Sequence, residues 1–111
     1  MSTHSFHERQ GVPFFYLDVV VDDDAVRIRY FPLTRRVIPL ADIVTATARE
    51  YRPIRDYGGW GIKGWSRRRI AYNLWGHKGV ELMLQDGRSV LIGSQRATEL
   101  EAAIGKPVQP S

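Results

Sequence analysis

The sequence predicts a mainly β domain, a small antiparallel barrel or split barrel of six to seven strands capped by one C-terminal α-helix. Three observations carry that prediction. Short runs rich in β-branched and aromatic residues alternate with polar ones at a period of two. Turn signals separate the runs, at Asp22-Asp23-Asp24, Pro32-Leu33-Thr34-Arg35, Gly76-His77-Lys78-Gly79 and Asp86-Gly87. The period becomes helical once, after Ser94. An antiparallel sheet of that size curls, and a single helix can plug an open end or cover an edge.

The elements follow in order. Residues 1–12 are polar and read as a flexible segment, residues 13–105 as the domain, and residues 106–111, with Pro107 and Pro110, as a short tail. Phe14 to Val21 is the first strand, with Phe15, Leu17, Val19 and Val21 on one face. The three aspartates turn the chain into a second strand, where Val26, Ile28 and Tyr30 alternate with Arg27 and Arg29. Arg36-Val37-Ile38 is a short strand stopped by Pro39. Val44 to Arg52 and Ile70 to Trp75 follow, on either side of a glycine-rich stretch. Val80, Leu82 and Leu84 pair with Val90 and Ile92 across Asp86-Gly87, which the spacing predicts as a two-residue turn. Ser94 caps a helix whose Ala97, Leu100, Ala103 and Ile104 recur at helical spacing, and Gly105 and Pro107 end it. The expected core is Phe15, Leu17, Val26, Ile28, Ile43, Ile70, Tyr72, Val80, Leu82, Leu84, Val90, Ile92, Leu100 and Ile104.

Composition narrows the function classes. The 111 residues are 43% hydrophobic and 25% charged, as in an ordinary globular domain. There is no cysteine, which excludes a disulfide scaffold, a thiolate nucleophile and a thiolate metal site. The longest apolar run, Pro13 to Val21, carries Asp18 and falls far short of the roughly 20 residues a membrane helix needs. Residues 1–10 lack signal-peptide architecture. These features lead to the expectation of a soluble, cytoplasmic protein.

The densest signal is Tyr57-Gly58-Gly59-Trp60-Gly61-Ile62-Lys63-Gly64-Trp65, followed by Ser66 and Arg67-Arg68-Arg69. Residues 49–69 carry a net charge of +5, against +4 for the whole chain. Gly59 to Gly64 matches GxGxxG, but a dinucleotide site needs a strand before it and a helix opening at the third glycine, and no helical period follows. Glycines that allow positive φ or close approach, with Trp60 and Ile62 turned inward, make the architectural reading of residues 57–62. Lys63 to Arg69 is more basic and is the expected place for a partner contact. There Trp60 or Trp65 would be an apolar anchor, and Lys63, Arg67, Arg68 and Arg69 would supply charge.

Taken together, Phe31-Pro32, Arg36-Val37-Ile38-Pro39-Leu40-Ala41-Asp42-Ile43, Tyr51-Arg52-Pro53, YGGWGI at 57–62, Ala71-Tyr72-Asn73, Gly76, Gly79-Val80, Asp86-Gly87 and LIGSQR at 91–96 carry a family likeness. From about Ile28 to Ile104 the chain resembles the bacterial pleckstrin-homology-like (PH-like) domains of unknown function. The resemblance implies a seven-stranded barrel closed by a C-terminal helix, and no catalytic or site residues. Such domains often follow a pair of hydrophobic helices, of which these residues contain none.

The remaining constellations are plainer. Asp22-Asp23-Asp24 lacks the spaced ligands of a calcium loop and reads as a polar turn. His4 and His7 are weak metal ligands alone, and His77 sits in an expected turn. No Ser-His-Asp order, paired-carboxylate motif or phosphate loop is present. The expectation is a non-catalytic binding or assembly module without cofactor. Its partner would be an anionic membrane surface, at the inner face of the membrane, or a protein. Homo-oligomeric self-association through edge strands is the alternative, with single-stranded nucleic-acid binding or small-ligand carriage behind it.

Overall fold

The computed structural model describes residues 5–50, 61–66, 69–73 and 77–108. Within 61–66 and 69–73 it describes the course of the backbone and, of the side chains, Tyr72. The first sheet has four strands in the order β1-β2-β3-β4: β1 (Phe6–Val12), β2 (Phe15–Val21), β3 (Ala25–Phe31) and β4 (Thr34–Pro39). Each pairs antiparallel with its sequence neighbour, so the sheet is a chain of hairpins. A 3₁₀ turn, Leu40–Asp42, leads to the second sheet. That sheet has five strands in the order β5-β8-β9-β7-β6: β5 (Ile43–Glu50), β6 (Gly61–Ser66), β7 (Arg69–Asn73), β8 (Lys78–Leu84) and β9 (Ser89–Gly93). The helix α1 (Ala97–Ile104) follows.

The domain is therefore mainly β with one C-terminal helix, as the sequence predicts. Among the described residues no ladder joins the two sheets, so hydrogen bonds do not close the expected barrel. The pairing is not wholly antiparallel either. β7 runs parallel to β9, with Ile70 beside Val90 and Tyr72 beside Ile92. β9 is thus flanked on both sides, and its run Ser89-Val90-Leu91-Ile92-Gly93 is buried throughout, the pattern of an interior strand.

Residues 6–12 were expected to be loose and instead form β1. Its inward residues are Phe6, Glu8 and Gln10, two of them polar, which hides the strand from a hydrophobic pattern. Most of their polar groups are used, while Gln10 Oε1 is buried without a hydrogen-bond partner among the described residues. Glu8 accepts hydrogen bonds from the Ser94 hydroxyl and from the Gln95 N–H at 3.1 Å, and Gln10 Nε2 donates to the Gly93 carbonyl at 3.0 Å. This seam ties the first strand to the loop that enters α1. Ser94 is not the N-cap the sequence predicts: Arg96 holds that position without a side-chain cap bond, and Ser94, two residues earlier, accepts the Arg96 N–H at 2.9 Å. Gly105, at φ 69°, ends the helix.

One core joins both sheets and the helix. Leu17, Val19, Val21, Val26, Ile28 and Tyr30 come from the first sheet, Ile43, Val80, Leu82, Leu84, Val90 and Ile92 from the second, and Leu100, Ala103 and Ile104 from α1. Phe15 was expected here but is 38% exposed, at the start of β2, with its ring edge-on to Tyr30 at 5.6 Å. Gly79 was expected in a turn and lies within β8 opposite Gly93; a Cβ there would meet the Ile92 carbonyl oxygen at 2.4 Å. The β8–β9 turn is longer than expected. Gly87 N–H donates to the Leu84 carbonyl, Leu84 N–H to the Arg88 carbonyl, and Gly87 alone takes positive φ, at 85°. This is a three-residue loop ending in a left-handed glycine.

Candidate functional site

The sequence-selected site lies largely beyond description. Trp60, Arg67 and Arg68 are outside the described residues. Lys63 and Trp65 fall in β6 and Arg69 in β7, where the backbone alone is described. β6 returns as the antiparallel β7, with a register shift between Lys63 and Ser66, so the glycines at 61 and 64 belong to a strand and not to a strand-to-helix phosphate loop.

The described residues bring together a different surface, on the first sheet. Its inner face is core, so alternation sends the other residues outward. The register aligns Arg9, Asp18, Arg29 and Arg35 in one row across the four strands. Asp18 Oδ1 is shared by Arg9 Nε at 3.1 Å and His7 Nε2 at 2.6 Å. Arg29 and Arg35 have no carboxylate partner among the described residues. Beside this row, Tyr16 and Phe31 stack at 5.0 Å and 9°. Arg9 lies over the Tyr16 ring at 4.1 Å and Arg29 over Phe31 at 5.2 Å, so two cations sit on an aromatic pair.

The sheet ends beside those rings in two neighbouring hairpin tips. Pro13-Phe14 turns β1 into β2, with Val12 opposite Phe15. The cis Phe31–Pro32 bond lies in the β3–β4 turn, where Leu33 N–H donates to the Tyr30 carbonyl at 2.7 Å. Because Tyr16 pairs with Phe31, both tips point the same way. They expose Phe14 by 75% and Leu33 by 61%, with Val12 and Phe15 also outside. Turns of this kind are ordinarily polar. Their apolar content was visible in the sequence at Val12-Pro13-Phe14-Phe15 and Pro32-Leu33, but only the strand register shows that the tips are adjacent.

The opposite end is acidic, and its Asp22 is internally satisfied. Asp22 receives Arg27 Nε at 2.7 Å and the N–H groups of Asp24 and Ala25 at 2.8 and 2.9 Å. The Arg27 hydrogen bond, then the two N–H groups, lower the Asp22 carboxyl to about 2. The triple aspartate is thus the turn the sequence predicts. Among the described residues no group of three or more His, Asp or Glu side chains could hold a metal ion. His77 is exposed. No helix among them is long and apolar enough to cross a membrane. Comparison of the chain with protein-family models, curated proteins and solved structures found no match.

Proposed function

We propose that the chain is a non-catalytic PH-like binding module that docks on an anionic membrane surface. A mainly β domain ending in one helix supports that reading, while its nine described strands, one parallel pair among them, differ from the closed seven-stranded barrel that the resemblance implies. The observation that carries the docking is the hairpin end of the first sheet, where exposed Phe14 and Leu33 project beside Arg9, Arg29 and Arg35. Apolar tips enter the headgroup boundary while arginines set back from them meet lipid phosphates. Each basic group near such a surface adds about 1 kcal/mol, falling off within a Debye length. Lys63, Trp65 and Arg67 to Arg69 remain a second set of contacts in this reading.

Vesicle co-sedimentation tests it. The protein is expected to pellet with vesicles containing phosphatidylserine and not with neutral ones, and to be released at 0.5 M salt, where the screening length is about 4 Å. Phe14→Ser with Leu33→Ser, and Arg29→Glu with Arg35→Glu, should each reduce pelleting at least tenfold without lowering thermal stability. Equal binding to neutral and anionic vesicles would rule the reading out.

A further inference from the structure

Among the described residues, the edge strand β4 of the first sheet is paired on one side only. In an antiparallel pair, hydrogen-bonded and non-hydrogen-bonded residue pairs alternate. The Leu40 N–H donates to the Asp24 carbonyl at 2.9 Å, in register with the β3–β4 ladder. That bond fixes the phase: Ile38, Arg36 and Thr34 bond to β3, while the main-chain groups of Arg35 and Val37 and the carbonyl of Pro39 point away from it. Pro39, which has no N–H, occupies a position where none is needed by the ladder.

The edges at β5 and β1 are occupied or interrupted. On β5, the Ala46 N–H donates to the Pro107 carbonyl at 2.9 Å and the Ala48 N–H to Glu101 Oε2. On β1, the His7 carbonyl accepts Arg96 Nη1 at 2.9 Å, and Gly11 at φ 120° leaves the extended region. Among the described residues nothing caps the outward groups of Arg35 N–H, Val37 N–H and Val37 C=O.

The charge on this edge selects the occupant. Arg35 and Arg36 project to opposite faces of β4, Arg29 stands beside Arg35, and none of the three has a carboxylate partner among the described residues. Exposed Val37 follows them. A second copy of β4 laid antiparallel, with Arg35 opposite Val37, would set Arg36 against Arg36. That is like-charge pairing, which opposes self-assembly in this register. We propose that β4 accepts an acidic, extended peptide as a fifth strand of the first sheet. Two adjacent acidic residues would meet Arg35 and Arg36 on the two faces, an apolar neighbour would cover Val37, and main-chain bonds would supply the register. The site shares Arg35 with the hairpin-end docking surface but does not use Phe14 or Leu33, so Phe14→Ser with Leu33→Ser separates the two.

Fluorescence anisotropy on the whole chain tests it. The probe is a labelled ten-residue peptide of threonine and valine with two adjacent glutamates at its centre. Two further peptides of the same sequence carry N-methyl groups at alternate amides, in complementary registers. The unmethylated peptide and one methylated register should bind, and the other register should bind at least tenfold more weakly. Val37→Pro, which removes one edge donor, should weaken binding about tenfold. Arg35→Glu with Arg36→Glu should abolish it, and Phe14→Ser with Leu33→Ser should leave it intact. Equal binding of all three peptides would overturn strand addition, as would binding of phosphatidylserine vesicles but no peptide. Should Val37→Pro not fold, the methylated pair on the unaltered protein still decides.

Discussion

Two residues show how narrowly local chemistry is set. Gly79 faces Gly93 across the β8–β9 ladder, and its missing Cβ is the reason the strands can approach. Gly79→Ala drives a methyl into the Ile92 backbone and should destabilise the domain by about 1–3 kcal/mol, measured by urea unfolding. Asp22 works through charge instead. Its carboxyl is lowered from 3.8 to about 2, chiefly by Arg27, so the folded state favours the ionised form. The stabilisation is present above the ordinary carboxylate range and is lost as pH falls through about 2. A carbon-13 titration should place the Asp22 midpoint near 2, and Arg27→Ala should move it upward.

At the scale of elements, side chains far apart in sequence complete strands that cannot complete themselves. Glu8 holds the Ser94 hydroxyl and the Gln95 N–H. Glu8→Ala leaves the buried Ser94 hydroxyl and the part-buried Gln95 N–H without their acceptor and should cost about 1–3 kcal/mol in chemical denaturation. Glu101 reaches the edge of β5, and Glu101→Ala should speed hydrogen exchange at the Ala48 amide about tenfold while leaving Leu82 unchanged. The same contacts explain what could be read in advance. Strands with apolar alternation, such as Ala25–Phe31 and Lys78–Leu84, declare themselves. β1 does not, because Glu8 and Gln10 take inward places and their partners lie more than 80 residues away. β6 was hidden by its glycines, which read equally well as a loop. The arginine row is illegible for a related reason: Arg9, Arg29 and Arg35 become one surface only through pairing register. The charge excess near Arg67 to Arg69 is legible in sequence, but the described side chains do not extend to it.

Across the whole molecule, one core and one polar seam join the two sheets, so they should lose structure together. The tryptophans, at 60, 65 and 75, all lie in the second half of the chain, whereas far-UV circular dichroism reports on both sheets. Denaturant transitions followed by tryptophan fluorescence and by circular dichroism should coincide; separate midpoints would show independently melting sheets. Their assembly need not be so symmetric. The first sheet is made of consecutive hairpins, each closed by its neighbour in the chain. The second is not, because β9 joins β8 to the β6–β7 hairpin and is the last strand in sequence. During synthesis, then, the first sheet can close while the ribosome is still making the second, whereas β8 and β7 have no common neighbour until Ser89 to Gly93 emerges. A nascent chain arrested before that point would hold one finished sheet and unpaired strand edges, the state most in need of protection from aggregation.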